Sequence, residues 1–393
     1  MVDFATAALI FCALATATHL ASAALTIART LNARSKQPRL HIEPVSIIRP
    51  ICGIDHFDEV TLRSTFELKG LDYEIIFCAA REDDPAVPLV RRLIAEHPHI
   101  PARLLIGDDR PTRNPKLNNI VKGWAAARFS WIVIADNNVL MPPSYVRDLF
   151  ANFGPGIGLV CSPPVGSRPT GFWAELECAF LNTYQARWQS AADTIGYGFA
   201  QGKSMLWRRD LLDVAGGIEA LGSEIAEDAA ATKIVRSQGF KVRLVDRPFE
   251  QPLGPRTAKQ VWDRQVRWAR LRRATFPLFY IPEVLSGSIL PIIAGGCSAP
   301  SFGLDPLMAF SALLTLWFGT EAILALAAGW HIRALSPVAW VLRDLLLPVL
   351  WLDGWAGNTF VWRGNGMSVA NGSPAQTSTS KHANKLVVTA DVN

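Results

Sequence analysis

The chain has 393 residues, of which 50% are hydrophobic and 19% charged, against roughly 25% charged in an ordinary soluble domain. Its net charge of +5 sits in basic residues clustered beside apolar segments rather than spread over a folded face, which speaks against nucleic-acid binding. Cys12, Cys52, Cys78, Cys161, Cys178 and Cys297 are scattered, with no C-x-x-C and no histidine at metal spacing; this argues against a zinc site and a disulfide framework and favours a reducing compartment.

Residues 4–28 carry no formal charge, His19 being neutral, and are long enough to cross a bilayer as a helix. Arg29, Arg34, Lys36 and Arg39 follow, whereas only Asp3 precedes, so the positive-inside rule puts the N-terminus outside and the next domain in the cytosol. Ala21-Ser22-Ala23 offers a rival reading as a signal-peptide cleavage site. The basic n-region of such a peptide is missing and the apolar stretch is too long for one.

From 45 to 245, apolar β-rich runs alternate with helical patterns. Strands are predicted at 45–48, 73–79, 103–106, 131–135, 158–161 and 241–245, with helices such as 85–96, 116–127 and 143–150 between them. That alternation predicts a mainly parallel sheet covered on both faces, with ligands at the carboxyl ends of its strands. Polar clusters fall there. Arg81-Glu82-Asp83-Asp84-Pro85 follows one strand, although acidic residues opening a helix account for it equally well. Asp136-Asn137-Asn138 follows another, where a carboxylate can hold a divalent cation or simply make a turn. Glu227-Asp228 opens a helix over 229–237, and capping is the plain account of it. In Asn114-Pro115-Lys116-Leu117-Asn118-Asn119, Lys116 begins a helix after proline, a setting that suits an anion such as phosphate. Phe172, Trp173, Phe180, Tyr184 and Trp188 form an aromatic segment, either core or a wall for a lipid.

Lys259 to Arg273 is basic, carries Trp262 and Trp268, and lacks Gly and Pro. Read as a helix, it puts Arg264 and Arg267 on one face, able to meet a polyanion or anionic lipid. Beyond it, 284–304, 307–329 and 334–354 are candidate membrane segments. Glu321, Arg343 and Asp344 inside them would be costly against lipid and call for partners within protein. Residues 371–393 are polar, Ser/Thr-rich and predicted to be disordered.

Taken in order, Asp83-Asp84-Pro85-Ala86, Asn114 to Asn119, Asp136, Ala226-Glu227-Asp228 and Arg264-x-x-Arg267-Trp268 resemble the ceramide glucosyltransferases of glycosyltransferase family 21, over about 45–365. Gly202-Lys203-Ser204, Arg208-Arg209-Asp210 and 338–363 add to the match. The resemblance implies a GT-A-type α/β domain with a mainly parallel sheet at 40–257. With the apolar run at 1–30 read as a transmembrane helix, the chain then has a basic interfacial helix at 258–275 and membrane segments at 276–363. It implies an enzyme, the protein sitting in a bacterial inner membrane with its catalytic domain on the cytoplasmic side. Asp228 would be the catalytic base, Asp84 a contact to the uridine of a UDP-sugar, and Asp136 the ligand of Mg²⁺ or Mn²⁺. Lys116, Arg264, Arg267 and Trp268 would bind the donor. Asn138 stands where many GT-A enzymes have a second aspartate, which leaves the metal fewer charged ligands; lysine or arginine could compensate at the diphosphate. The implied reaction moves glucose from UDP-glucose to ceramide with inversion. Diacylglycerol or a hopanoid as acceptor, another UDP-sugar as donor, or a non-catalytic nucleotide-sugar-binding protein remain open. A polysaccharide synthase fits less well, because the C-terminal membrane part is short for a polymer channel.

Overall fold

The computed structural model describes residues 3–33, 42–362, 365–369 and 387–388. The chain forms two compact units. One gathers Lys36–Val165, Ile195–Gly254 and Thr359–Asn393, and the other Met1–Ser35, Gly166–Thr194 and Pro255–Asn358.

In the first unit, β1 (Val45–Pro50), β2 (Tyr73–Ala79), β3 (Ala102–Ile106) and β4 (Trp131–Ala135) lie parallel in the order 3-2-1-4. Later in the chain come β5 (Ile157–Cys161), β6 (Val165–Thr170), β7 (Ser204–Arg208) and β8 (Lys241–Leu244). β7 lies between β4 and β5 and runs antiparallel to both, while β5 and β8 pair in parallel. The mainly parallel sheet expected from the alternating pattern is therefore present, with β7 reversed inside it, a strand that the pattern did not reveal. β9 (Glu250–Pro255) follows, and β10 (Thr359–Trp362) pairs antiparallel with β11 (Asn365–Ser368). Of the tail 371–393, only β12 (Val387–Val388), antiparallel to β3, falls within the described residues; the rest of the predicted disorder lies outside them.

β1 and β2 are buried along their whole length because both faces of the sheet are covered. Val45, Ile47, Ile75, Phe77 and Val133 face one core, and Ile48, Ile76, Cys78, Ile132 and Ile134 face the other. The period of two along each strand does this sorting. The helix Pro115–Ala126 crosses the second face, and its Gly123 lets the backbone approach the sheet closely. A Cβ at Gly123 would lie 2.7 Å from Ile48 Cγ2 and 2.8 Å from Cys78 Sγ. Gly123→Ala is expected to cost about 1–3 kcal/mol, read as a lowered melting temperature of the purified chain; an unchanged melting point would refute the close contact.

The second unit is helical. Among the described residues, two of its helices are long and apolar enough to cross a membrane, Phe4–Ala33 and Pro306–Ala328. A third candidate, Pro277–Leu285 with Ile289–Phe302, is bent by 43°, so the predicted segment 284–304 is not one straight helix. The proline and glycines within it are the residues that break helices. Phe4–Ala33 buries a polar stripe, including Thr16, His19, Ser22, Thr26, Arg29 and Thr30. His19 stacks on Trp317 with ring centroids 4.0 Å apart, Arg29 pairs with buried Asp193, and Arg187 donates to Ser22. The helix Ser336–Ala356 carries Arg343 and Asp344, both buried. Arg343 donates to Glu321 Oε1 at 2.8 Å, Asp344 Oδ1 at 2.7 Å, Thr183 Oγ1 at 2.9 Å and the Ala179 carbonyl at 3.1 Å. The charges that would be costly against lipid are thus partnered inside the unit.

Candidate active site

The carboxyl edge of the sheet brings Lys116, Asp136 and Asp228 together, with Lys203 and Glu227 beside them. Asp136 ends β4. Its turn is held from behind by Arg49 of β1, fully buried, which donates to the carbonyls of Asp136 at 2.7 Å and Asn137 at 2.9 Å. Lys116 is carried by a helix whose start is built from the sequence: Asn114 accepts from the N–H groups of Lys116 and Leu117, and Pro115 needs no donor there. Asn114 also donates to Glu227 Oε2 at 2.8 Å, which ties the openings of two helices together.

The Lys116 ammonium contacts Asp136 Oδ1 at 2.7 Å, Glu227 Oε1 at 2.6 Å and the Gly202 carbonyl at 2.6 Å. Lys203 contacts Asp136 Oδ2 at 2.8 Å and Asn138 Oδ1 at 3.1 Å. Gly202 has to lack a side chain: a Cβ there would sit 2.9 Å from Glu227 Oε1 and 3.4 Å from Lys116 Nζ. Its N–H donates to Asp228 Oδ2 at 3.2 Å, and Ala229 N–H donates to Asp228 Oδ1 at 2.9 Å.

These surroundings set the protonation states. Burial pushes Asp136 up, but Lys116 and Lys203 outweigh it and hold the carboxyl well below the usual range. Burial pushes Lys116 down, and Asp136 and Glu227 more than reverse that, so it stays protonated. Asp228 goes the other way. Burial first, and the adjacent Glu227 second, raise it to about 6, because Lys116 offsets them only in part. One edge therefore holds a permanently ionised carboxylate and a second one poised to exchange protons near neutrality.

Asp84 is not part of this cluster. Its carboxylate accepts from Gly53 N–H at 3.0 Å and Ala86 N–H at 2.9 Å, joining the loop after β1 to the start of the helix Ala86–Glu96. Arg264, Arg267 and Trp268 lie in the helical unit on Ala258–Thr275, which opens with a capping box of Thr257 and Gln260. Arg264 pairs with buried Glu177, and its guanidinium lies 5.9 Å from the centre of the Trp268 ring. Arg267 and Trp268 are half-buried on the same helix. Arg256 also approaches Glu177, at 3.5 Å. The sequence reading missed Lys203 as a site residue, because its nearness to Asp136 follows only from the β4–β7 pairing. It also missed Glu177, hidden in a segment read for its aromatics.

Among the described residues, no group of three or more His, Cys, Asp or Glu side chains is arranged to hold a metal ion. At Asp136, the carboxylate the resemblance assigns to Mg²⁺ or Mn²⁺, both oxygens are taken by ammonium groups and the neighbouring acceptor is the amide of Asn138. This donor set does not fit a hard divalent cation, which takes several oxygen ligands free of competing positive charge.

A mainly parallel α/β sheet with acidic and basic side chains gathered at its carboxyl edge has the layout of a ligand-binding α/β domain, and the chain also has helices long and apolar enough to cross a membrane. The chain belongs to glycosyl transferase family 21, whose model matches residues 9–375. It is 28% identical to ceramide glucosyltransferase 1 of Caenorhabditis elegans, an alignment covering 86% of this chain and 76% of that one. With ceramide glucosyltransferase 3 of the same organism the identity is 27%, over 84% and 73% of the two chains. A mannosyltransferase of Pyrobaculum calidifontis, solved with GDP-mannose and Mn²⁺, aligns over 89% of this chain and 98% of its own, at 16% identity and a TM-score of 0.48. At that distance its ligands are facts about that protein alone.

Proposed function

We propose that this protein transfers glucose from UDP-glucose to the hydroxyl of a membrane lipid, ceramide being the acceptor its relatives' names favour. The observation that carries the reading is Asp228: a partly buried carboxylate raised to about 6, beside a paired lysine and aspartate at the sheet's ligand edge. Such a group is matched to taking a proton from an alcohol near neutral pH. In the reaction, the acceptor oxygen bonds to the anomeric carbon as the bond from that carbon to the diphosphate oxygen breaks. The acceptor proton goes to Asp228 and UDP leaves. A single displacement inverts the anomeric centre, so an α-linked donor gives a β-glucoside.

The departing diphosphate needs positive charge aimed at it. We assign Lys116, Arg264 and Arg267 to that task, Trp268 to the donor, and Asp84 to its uridine. Asp136 is the candidate ligand for Mg²⁺ or Mn²⁺, although both of its oxygens are held by ammonium groups. The apolar helices and the basic run after residue 28 support an integral membrane protein whose catalytic domain faces the cytoplasm; the membrane we propose is a bacterial inner membrane.

Membranes containing the chain, given labelled UDP-glucose with ceramide, diacylglycerol or a hopanoid in separate reactions, should yield a base-stable glucoside with ceramide on thin-layer separation. Product with only one of the other lipids moves the acceptor. UDP binding without product under any condition supports a non-catalytic binding protein instead. Arg267→Ala is expected to raise the UDP-glucose KM and to lower kcat, by about tenfold or more in kcat/KM for loss of a charged hydrogen bond. Unchanged kinetics would remove Arg267 from the donor site.

A further inference from the structure

The clash between the implied metal and the residues at Asp136 has a constructive reading, which rests on the donor site proposed above. We propose that Lys203 is the resident cation of the site, and that with Lys116 it supplies the positive charge for the nucleoside diphosphate, so that donor binding needs no divalent ion.

The backbone fixes where Lys203 must be. Ala135 of β4 faces Ser204 of β7, so the next residue on each strand meets across the edge, and Asp136 N–H donates to the Lys203 carbonyl at 3.1 Å. From that position the Lys203 side chain reaches Asp136 Oδ2 at 2.8 Å while Lys116 takes Oδ1 at 2.7 Å. Two ammonium groups carry the same formal charge as one divalent cation. They occupy the carboxylate an ion would need, and an ion could bind only by driving both away against their mutual repulsion.

The acceptors around the two lysines differ in a way that divides their work. Lys116 has an 8% exposed side chain and is pinned between Asp136 and Glu227. The Lys203 side chain is 19% exposed and shares Asp136 with a neutral amide, that of Asn138. A carboxylate at 138 would neutralise Lys203 further and complete a pair of acidic ligands. The amide accepts a hydrogen bond without bringing a second negative charge. Lys203 is accordingly the group that can turn from Asp136 to a phosphate oxygen when the donor arrives, as a compact charge on a flexible stem.

The test uses the full chain in detergent micelles with UDP as the probe, so that it needs neither the right sugar nor the right lipid. UDP affinity of the wild type should be the same within about twofold in excess EDTA and in saturating Mn²⁺. Lys203→Met should lose at least about tenfold in EDTA, the loss of one charged hydrogen bond. Lys203→Arg, which keeps the charge, should retain most of the binding. Paramagnetic resonance of added Mn²⁺ gives an independent readout: the wild type should leave the ion free, whereas Lys203→Met should bind some of it at the vacated carboxylate. Wild-type UDP binding that disappears in EDTA and returns with Mn²⁺ overturns the proposal, and this arm stands even if Lys203→Met fails to fold. Undiminished binding by Lys203→Met in EDTA overturns it as well. Absence of UDP binding with and without Mn²⁺ is a different failure, since it removes the donor site itself and the inference with it.

Discussion

Asp228→Asn is expected to lower sugar transfer by about 10²- to 10⁴-fold, the usual worth of a positioned general base, while the chain still folds and inserts. Asparagine keeps the side chain's size but can accept only one of the Gly202 and Ala229 N–H groups, which meet different oxygens of the carboxylate. What it loses is the lone pair that takes the acceptor's proton. A pH profile separates this loss from a packing defect. Because Asp228 works ionised and its carboxyl is raised to about 6, wild-type kcat/KM should fall below pH 6, roughly tenfold per pH unit. The residual rate of the variant should lack that limb. Stability should move in the opposite sense. A carboxyl raised from 3.8 to about 6 binds its proton more tightly in the folded chain, so its contribution is fully present below pH 3.8 and is lost as pH rises through 6. Relative to the asparagine variant, the wild type should therefore become less stable across that window. Near wild-type turnover in Asp228→Asn would end the assignment of the base.

Arg343→Met should be the most damaging substitution for the fold itself. Arg343 is fully buried and its guanidinium is shared among Glu321, Asp344, Thr183 and a carbonyl. Removing it strands two buried carboxylates, a loss of about 3–5 kcal/mol for breaking such a pair. Replacing Arg343 and Glu321 together should cost less than the sum of the single changes, because the second removes one of the charges the first left bare. Thermal melting of the purified single and double variants reads both effects. A single variant that melts with the wild type would show that the network carries no stability.

The residues differ in how much of this they disclosed by themselves. β2 and β4 were legible end to end because a strand buried on both faces reads as a largely apolar run, broken in β2 only by Glu74. β7 was not: Ser204–Arg208 is short, follows Gly-Lys, and becomes a strand through neighbours more than forty residues away on either side. The same long-range pairing hid Lys203. Asp136, Lys116 and Asp228 could be picked out because each sits where a strand or helix meets a turn, yet their mutual contacts are tertiary. Asp84 too could be picked out where a helix begins, but its hydrogen bond to the Gly53 N–H, across the loop after β1, is tertiary. Arg343, Asp344 and Glu321 stood out as charges in apolar helices, and that cost is what pointed to a partner; which partner only the folded chain decides.

The polar stripe along Phe4–Ala33 has a practical bearing on how the protein can be engineered. This segment is a counter-ion as well as an anchor: exchanging it for a generic leucine-rich span would leave Asp193 buried without Arg29 and deprive Arg187 of Ser22. Chimeras that retain membrane attachment but swap this first helix should therefore be recovered as poorly folded protein, and restoring serine and arginine at those two places should rescue them.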